Sequence, residues 1–169
     1  KIIRGGIQMT KIYFASPLFS EMELAFNKVL VEKIRNQFPG VEVYLPQEQM
    51  AINDKSSYAD STMIAQYDTD ALLESDLMIA VLDGATIDVG VASEIGVAYH
   101  ADMPILGLYT DSRQQGADNP QKLEALQEVA ESQFSYVNLY TAGLVKLRGE
   151  IVSSSDELLE ALKAYLKES

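Results

Sequence analysis

The amino-acid sequence predicts a single α/β domain built on a doubly wound, mostly parallel, five-stranded sheet. Short β-rich runs alternate along the chain with amphipathic stretches of helical length, which is the pattern of parallel strands joined by crossover helices. One run, Leu77–Leu82 (LMIAVL), is apolar at every position, as expected of a central strand covered on both faces. The length of 169 residues suits one domain with a sizeable core.

The first elements are marked by clear local signals. Lys11–Ala15 (KIYFA) is a short β-rich run and predicts the first strand. A helix follows, because Ser20 and Glu23 have the spacing of a capping box and apolar residues then recur at helical intervals as far as Pro39. Val41–Leu45 (VEVYL) alternates apolar and other residues and predicts the second strand.

The middle of the chain continues the alternation. Residues 46–58 are polar and irregular and predict a loop over a site or an interface. Ser61–Leu73 predicts a helix with apolar residues on one side, and the central strand follows it. Val89–Ala101 then predicts an apolar helix, and Pro104–Tyr109 (PILGLY) predicts the fourth strand.

The last third is less strongly patterned. Gln121–Glu131 predicts a helix and Phe134–Leu139 a candidate fifth strand, whereas residues 140–153 carry no clear signal. Ser154 and Glu157 have the spacing of a second capping box, which opens an amphipathic final helix. Right-handed crossovers would place helices on both faces of the sheet, giving a three-layer sandwich of the flavodoxin-like or Rossmann-like kind.

Composition excludes several function classes. Thirteen Lys and Arg against 25 Asp and Glu give a net charge of −12, so we expect no nucleic-acid polymer and no anionic membrane surface as partner. Without cysteine, and with His100 as the only histidine, the chain offers no Cys-based or multi-histidine metal site, and we expect no metal.

The sequence predicts neither a membrane span nor a signal peptide. No apolar run approaches the length needed to span a bilayer, and residues 1–8 lack the apolar core of a signal peptide. We interpret residues 1–8 as upstream or added sequence and 9–169 as one domain, and we expect a cytoplasmic protein.

The loop and helix after the central strand hold the most informative residues. From Asp83 they read DGATIDVGVASEIGVAYHA, with Asp88 where the helix begins and Glu94 two turns inside it, among small and apolar residues. A carboxylate in that setting lies on a thin solvent-facing stripe or points into a pocket, and Asp88 is equally well explained as an N-cap. Gly90, one turn before Glu94, would let a ligand approach the carboxylate, and Gly96 adds a second glycine to the helix.

Other loops at the same edge of the sheet offer weaker candidates. Tyr13 lies in the first strand and Ser16 follows it, while Asp68 lies in the helix before the central strand. Each could equally be packing or a solvated surface residue. No G-x-G-x-x-G follows the first strand, and neither a P-loop nor a G-x-S-x-G motif occurs, which argues against dinucleotide binding, P-loop NTPases and α/β-hydrolases.

Three segments together resemble the nucleoside 2-deoxyribosyltransferase family. The first is IYFASPLF (Ile12–Phe19), and the second is the spacing of Asp68 and Asp76, followed by Leu77. The most specific is AVLDGATIDVGVASEIGVAYHADMPILGLYTD (Ala80–Asp111), similar to the family's D-G-x3-D-x-G-x3-E-x-G-x-A block. The resemblance covers about residues 10–140.

The resemblance implies a role for each matching residue. Glu94 matches the catalytic nucleophile, Tyr13 the tyrosine that positions it, and Asp68 and Asp88 the acidic residues that hold the nucleobase and help protonate it. Asn119 matches an asparagine lent across a subunit interface to the sugar. The implied substrate-binding set is completed by Asp83, Gly84, Gly90 and Ser16.

The implied activity is transfer of 2-deoxyribose between nucleobases, with retention, through a covalent deoxyribosyl-glutamate, in nucleoside salvage. The family implies nucleosides and free nucleobases as ligands, no cofactor, and a homo-oligomer, a dimer or larger, with shared active sites. Two alternatives stay open: a 2′-deoxynucleoside 5′-monophosphate N-glycosidase that uses the same glutamate with water, and a non-catalytic nucleotide-binding sensor. The loop after the first predicted strand, which ends at Ala15, shows no feature that supports a flavin-binding electron carrier.

Overall fold

The computed structural model describes residues 3–4, 7–49, 60–115, 118–132 and 136–168. Five strands form one all-parallel sheet in the order β4-β3-β5-β6-β7, and a two-stranded antiparallel hairpin of β1 and β2 precedes it. The strands are β1 Ile3–Arg4, β2 Ile7–Gln8, β3 Thr10–Ala15, β4 Val41–Tyr44, β5 Leu77–Val81, β6 Ile105–Leu108 and β7 Gly149–Val152.

Six α-helices and two short 3₁₀ turns connect the strands in the described ranges. α1 and α6 contribute the helical part of one core cluster, and α2, α3 and α5 contribute that of the other, so the sheet lies between two helical layers. This confirms the predicted doubly wound, three-layer fold. The helices are α1 Glu21–Gln37, α2 Ser61–Leu73, α3 Val89–His100, α4 Pro120–Ala125, α5 Leu139–Arg148 and α6 Ser155–Glu168, and the 3₁₀ turns are Pro46–Glu48 and Ser112–Gln115.

Successive side chains of β3 point alternately into the two hydrophobic cores on either side of the sheet. Ile12 and Phe14 are buried in the cluster on the α1 and α6 side, whereas Tyr13 and Ala15 are buried in the cluster on the α2, α3 and α5 side. Central strand β5 is buried at all five positions, as its continuous apolar sequence predicts.

Side-chain caps fix where the helices begin. Ser20 accepts from the Glu23 N–H and the Glu23 carboxylate accepts from the Ser20 N–H, so the first predicted capping box is present. At α6 only half of the predicted box forms. The Ser154 hydroxyl accepts from the Glu157 N–H, but the Glu157 carboxylate accepts from the backbone and hydroxyl of Ser153.

Two predicted elements in the last third are wrong. The described part of Phe134–Leu139 is coil up to Asn138, which caps α5, and the fifth strand is β7, inside the stretch that gave no clear signal. The predicted helix Gln121–Glu131 ends at Ala125 instead, because its apolar residues have no layer to pack against. All three are exposed: Leu123, Leu126 and Val129. No helix in the described ranges is both long and apolar enough to cross a membrane.

Candidate active site

The candidate site is a cavity of about 380 Å³ beside the carboxyl ends of β3 and β4, on the side of the sheet covered by α2 and α3. Its volume falls within the range of small-molecule sites. The polar groups are one hydroxyl and three carboxylates, and the remaining lining is mostly apolar. The lining residues are Ser16, Leu18, Phe19, Pro46, Ile64, Asp68, Asp88, Gly90, Val91 and Glu94.

Glu94 is the central titratable group of this cavity. The Tyr13 hydroxyl donates a 2.6 Å hydrogen bond to Glu94 Oε1. The pKa of Glu94 is raised to about 7: burial is the main cause, the charges of Asp68 and Asp88 add to it, and the Tyr13 hydrogen bond partly opposes them. Burial and the nearby Glu94 charge raise the pKa of Tyr13, so its hydroxyl keeps the proton that it donates. Glu94 is therefore held in one orientation and titrates near neutrality.

Asp88 both caps helix α3 and lines the cavity. Its Oδ1 accepts from the backbone N–H groups of Gly90 at 2.9 Å and Val91 at 3.1 Å, which makes it the N-cap of α3. The N-cap interpretation of this aspartate is therefore correct, and the same side chain also lines the cavity.

The two glycines of α3 differ in what a side chain would meet. A Cβ on Gly90 would lie 2.9 Å from Asp88 Oδ1, closer than such atoms approach, so the cap and the cavity wall both depend on glycine there. A Cβ on Gly96 would meet no atom within 4 Å in the part of the chain that the structure describes.

Ser16 supplies the hydroxyl of the cavity. The residue is 6% exposed, and its Oγ is a buried side-chain atom without a hydrogen-bond partner in the described part of the chain. An unpaired buried hydroxyl costs about 1–3 kcal/mol. Because Ser16 lines the cavity, we expect a bound molecule that reaches Oγ to supply the missing partner.

Asp68 extends into the cavity from α2. Burial raises its pKa, and a hydrogen bond that it accepts from the Tyr44 hydroxyl at 3.4 Å lowers it. Tyr44 was not singled out from the sequence, although the alternation of VEVYL puts it on the opposite face of β4 from Val41 and Val43. The parallel register then sets it beside Tyr13.

Three predicted substrate-binding residues lie outside this cavity. Asp83 accepts from the backbone N–H and the hydroxyl of Thr110, at 2.6 and 2.7 Å, and so ties the loop after β5 to the end of β6. Asp83 and Gly84 line a second cavity of about 420 Å³ next to α1. Asn119 caps α4 by accepting from the Gln121 N–H, and its predicted contact with the sugar of a neighbouring subunit stays a prediction.

No metal site is evident in the ranges that the structure describes. They hold no group of three or more His, Cys, Asp or Glu side chains arranged to bind an ion. The carboxylates of the cavity each have another partner instead: tyrosine hydroxyls for Glu94 and Asp68, and backbone N–H groups for Asp88.

The sequence of the chain matches the family model for nucleoside 2-deoxyribosyltransferase over residues 12–138. The chain belongs to the nucleoside 2-deoxyribosyltransferase family. The match covers well over half of the chain and includes every residue of the cavity, which confirms the resemblance predicted from the motifs. No curated protein sequence matches the chain significantly.

Solved structures share the fold of this chain. A conserved protein from Enterococcus faecalis V583 is 63% identical, with 93% of this chain and 99% of that one aligned and a TM-score of 0.89. Two more distant structures show the same fold. The 2-deoxyribosyltransferase of Bacillus psychrosaccharolyticus is 20% identical over 89% of this chain and 90% of its own, with a TM-score of 0.62. The Leishmania mexicana 2-deoxyribosyltransferase is 18% identical over 94% and 97%, with a TM-score of 0.61.

Proposed function

We propose that the protein transfers 2-deoxyribose between nucleobases through a covalent deoxyribosyl-Glu94 intermediate. The observation that carries the proposal is the Tyr13–Glu94 pair, a carboxylate fixed by a 2.6 Å hydrogen bond inside a mostly apolar cavity that also holds two aspartates. A fixed nucleophile beside potential acids is the arrangement that retaining glycosyl transfer requires.

The proposed reaction has two displacements at one carbon. One oxygen of the Glu94 carboxylate attacks C1′ of a deoxyribonucleoside, and the C1′–N bond breaks as the base leaves with a proton. A second base then attacks C1′ from the vacated face, the bond to Glu94 breaks, and the configuration is retained. Tyr13 binds Oε1, which leaves Oε2 as the attacking atom.

We assign delivery of the proton to Asp68. Burial raises its pKa, so the carboxyl group keeps its proton to higher pH than an exposed aspartate does. Asp88 instead accepts hydrogen bonds from two backbone N–H groups with one oxygen, so this carboxylate is already engaged as the N-cap of α3. Asp88 is then the residue that hydrogen-bonds the substrate rather than the acid.

The charge of the cavity favours unphosphorylated nucleosides. Apart from the Ser16 hydroxyl, its polar lining consists of the carboxylates of Asp68, Asp88 and Glu94, and no Lys or Arg lines it in the described ranges. A phosphate dianion placed beside three carboxylates would meet like-charge repulsion. The monophosphate N-glycosidase is therefore the less favoured candidate, although Ser16 could donate to a phosphate oxygen.

The family supports the wider setting of the proposal. We infer that the protein acts in nucleoside salvage in the cytoplasm, without a cofactor, as a homo-oligomer in which Asn119 reaches the site of a neighbouring subunit. Sedimentation of the wild-type protein and of Asn119→Ala, with the transfer activity of both, tests the shared site. An active monomer would contradict it.

The deciding experiment is a chromatographic product assay. The protein is incubated with deoxyinosine or thymidine, with and without adenine, and then with the corresponding 5′-monophosphates. Deoxyadenosine formed only when adenine is present supports transfer, whereas free base and sugar released mainly from monophosphates would identify the N-glycosidase. No product from any substrate would favour the binding sensor.

Two variants connect the assay to Glu94. Glu94→Gln is expected to lower transfer at least about 10³-fold, because the neutral amide is a poor nucleophile. Glu160→Gln, an exposed glutamate on α6, is the matched control. Intact-mass measurement with nucleoside alone should detect a deoxyribosyl adduct on wild-type protein and none on Glu94→Gln, and normal activity of that variant would overturn the proposal.

A further inference from the structure

Tyr44 forms a second tyrosine–carboxylate pair that the proposed reaction does not yet use. It is the last residue of β4, directly opposite Tyr13 in the parallel register of β3 and β4. Val41 and Val43 point into the core on the α1 and α6 side, whereas Tyr44 packs against the core on the other side, where the cavity lies. Tyr44 and Tyr13 therefore project from neighbouring strands toward the same space.

Stacking fixes the ring of Tyr44. The centroids of the Tyr13 and Tyr44 rings are 5.4 Å apart and their planes differ by 15°. Because Tyr13 is fully buried and bonded to Glu94, it forms a rigid surface for its neighbour. The Tyr44 hydroxyl is then aimed at Asp68 Oδ1, 3.4 Å away.

The charges around Asp68 make this hydroxyl a donor. The titratable groups that face the pair are Tyr13 from β3 and Glu94 from α3, and Asp88 lines the same cavity beside Glu94. Burial and the Asp68 charge raise the pKa of Tyr44 to about 12, so it stays protonated at neutral pH. Its hydrogen bond stabilises the charged form of Asp68 against the effect of burial.

We propose that Tyr44 is a positioning residue that holds the carboxyl group of Asp68 in place for proton transfer to the leaving nucleobase. The inference rests on the proposed function. When the C1′–N bond breaks, the proton moves from the Asp68 carboxyl group to a ring nitrogen of the base, and Asp68 becomes a carboxylate. The Tyr44 O–H stabilises that carboxylate as it forms, while Tyr13 does the same for the Glu94 carboxylate before it attacks.

The first test needs no catalytic activity. Carboxyl-detected NMR titration follows Asp68 in wild-type protein, in Tyr44→Phe, and in Tyr140→Phe as control, a tyrosine that is exposed on α5 and does not line the cavity. Tyr44→Phe keeps the ring and removes the donor, so the titration midpoint of Asp68 should move to higher pH. The control should not move it. An unchanged or lower midpoint would overturn the proposal.

The second test separates action through Asp68 from a general effect on packing. Tyr44→Phe should lower kcat about tenfold, with little change in KM, which corresponds to the loss of one hydrogen bond to a charged group. In the Asp68→Asn background the same change should have almost no further effect. Equal losses in both backgrounds would mean that Tyr44 does not act through Asp68.

The two proposals fail in different ways. A wild-type protein that makes no transfer product contradicts the proposed function, and the NMR titration still decides whether Tyr44 controls Asp68. An active wild-type protein whose Asp68 titrates identically in Tyr44→Phe contradicts the role of Tyr44 alone.

Discussion

The Tyr13 hydroxyl donates to the Glu94 carboxylate across 81 positions of sequence, from the first strand of the sheet to the third helix. The contact exists because β3 and β5 are parallel neighbours, so β3 and the helix that follows β5 meet at one edge of the sheet. Burial and the nearby carboxylates bring Glu94 to a pKa of about 7. The pair thus links the stability of the fold to the ionisation of one side chain.

We expect Glu94 to destabilise the protein as pH rises. Below about pH 4.5 the carboxyl group is protonated in both the folded and unfolded chain. Between 4.5 and about 7 only the unfolded chain loses the proton, so the free energy of unfolding falls through this window. Glu94→Gln should therefore be more stable than wild type at pH 8, by up to about 3 kcal/mol, and of similar stability at pH 4.

Urea unfolding at both pH values checks this expectation, with Glu160→Gln as the exposed control. A constant difference between Glu94→Gln and wild type at pH 4 and pH 8 would mean that Glu94 does not titrate differently in the folded state.

Tyr13→Phe should make the activity more sensitive to acid. The Tyr13 hydrogen bond lowers the pKa of Glu94, so without it a larger fraction of Glu94 is protonated at pH 6. We expect kcat/KM to fall about 100-fold at pH 6 and about tenfold at pH 8. Tyr165→Phe, which removes a hydroxyl bonded to the backbone carbonyl of Asp76, should leave the pH profile unchanged. Equal losses at the two pH values would contradict this expectation.

Gly90→Ala and Gly96→Ala should differ in both stability and nucleoside binding. At Gly96 the new methyl group meets nothing and only improves helix propensity, so the protein should gain about 0.5–1 kcal/mol. At Gly90 the new methyl group displaces the Asp88 carboxylate from the helix N-terminus. Gly90→Ala should therefore be about 1 kcal/mol less stable than Gly96→Ala and should bind nucleoside more weakly. Thermal unfolding and KM of the pair provide the check, and identical behaviour would show that the cap tolerates a side chain.

Ser16→Ala should separate binding from stability. The Ser16 hydroxyl has no partner in the described protein, so its removal should leave the free energy of unfolding unchanged or raise it by up to about 1 kcal/mol. If the hydroxyl bonds the substrate, KM should rise about tenfold. Ser93→Ala, on the exposed side of α3, is the control. A loss of stability without a change in KM would assign Ser16 to the fold alone.

Elements with a strong local signal could be predicted from the sequence. The continuous apolar run of β5 and the capping box of α1 each define an element without help from distant residues. The fifth strand could not be found in this way. β7 has the sequence GEIV, with two exposed positions, and its pairing depends on Gly149, where a Cβ would lie 2.1 Å from the Ile105 carbonyl oxygen.

Site residues that lie close together in one segment of the sequence could be predicted. Residues that only the fold brings to the cavity were predicted less completely. Asp88, Gly90 and Glu94 lie within seven positions of one another, and the motif reveals them together. Tyr44 gains its place only from the register between β3 and β4, and a tyrosine in a strand is ordinarily a packing residue. Asp83 lies in the same motif but bonds Thr110 and lines the neighbouring cavity instead of the one that holds Glu94.

The alternation in β3 has a consequence for engineering and for natural variation. Ile12 and Phe14 fill one core while Tyr13, between them, reaches Glu94 in the other layer. Inserting or deleting a single residue in this strand would turn every side chain beyond the change to the opposite face. Tyrosine would then enter the aliphatic core and an aliphatic residue would face Glu94. We therefore expect length changes to be tolerated in the loops but not between Thr10 and Ala15, since an insertion or deletion there would disrupt the core and the Tyr13–Glu94 contact together.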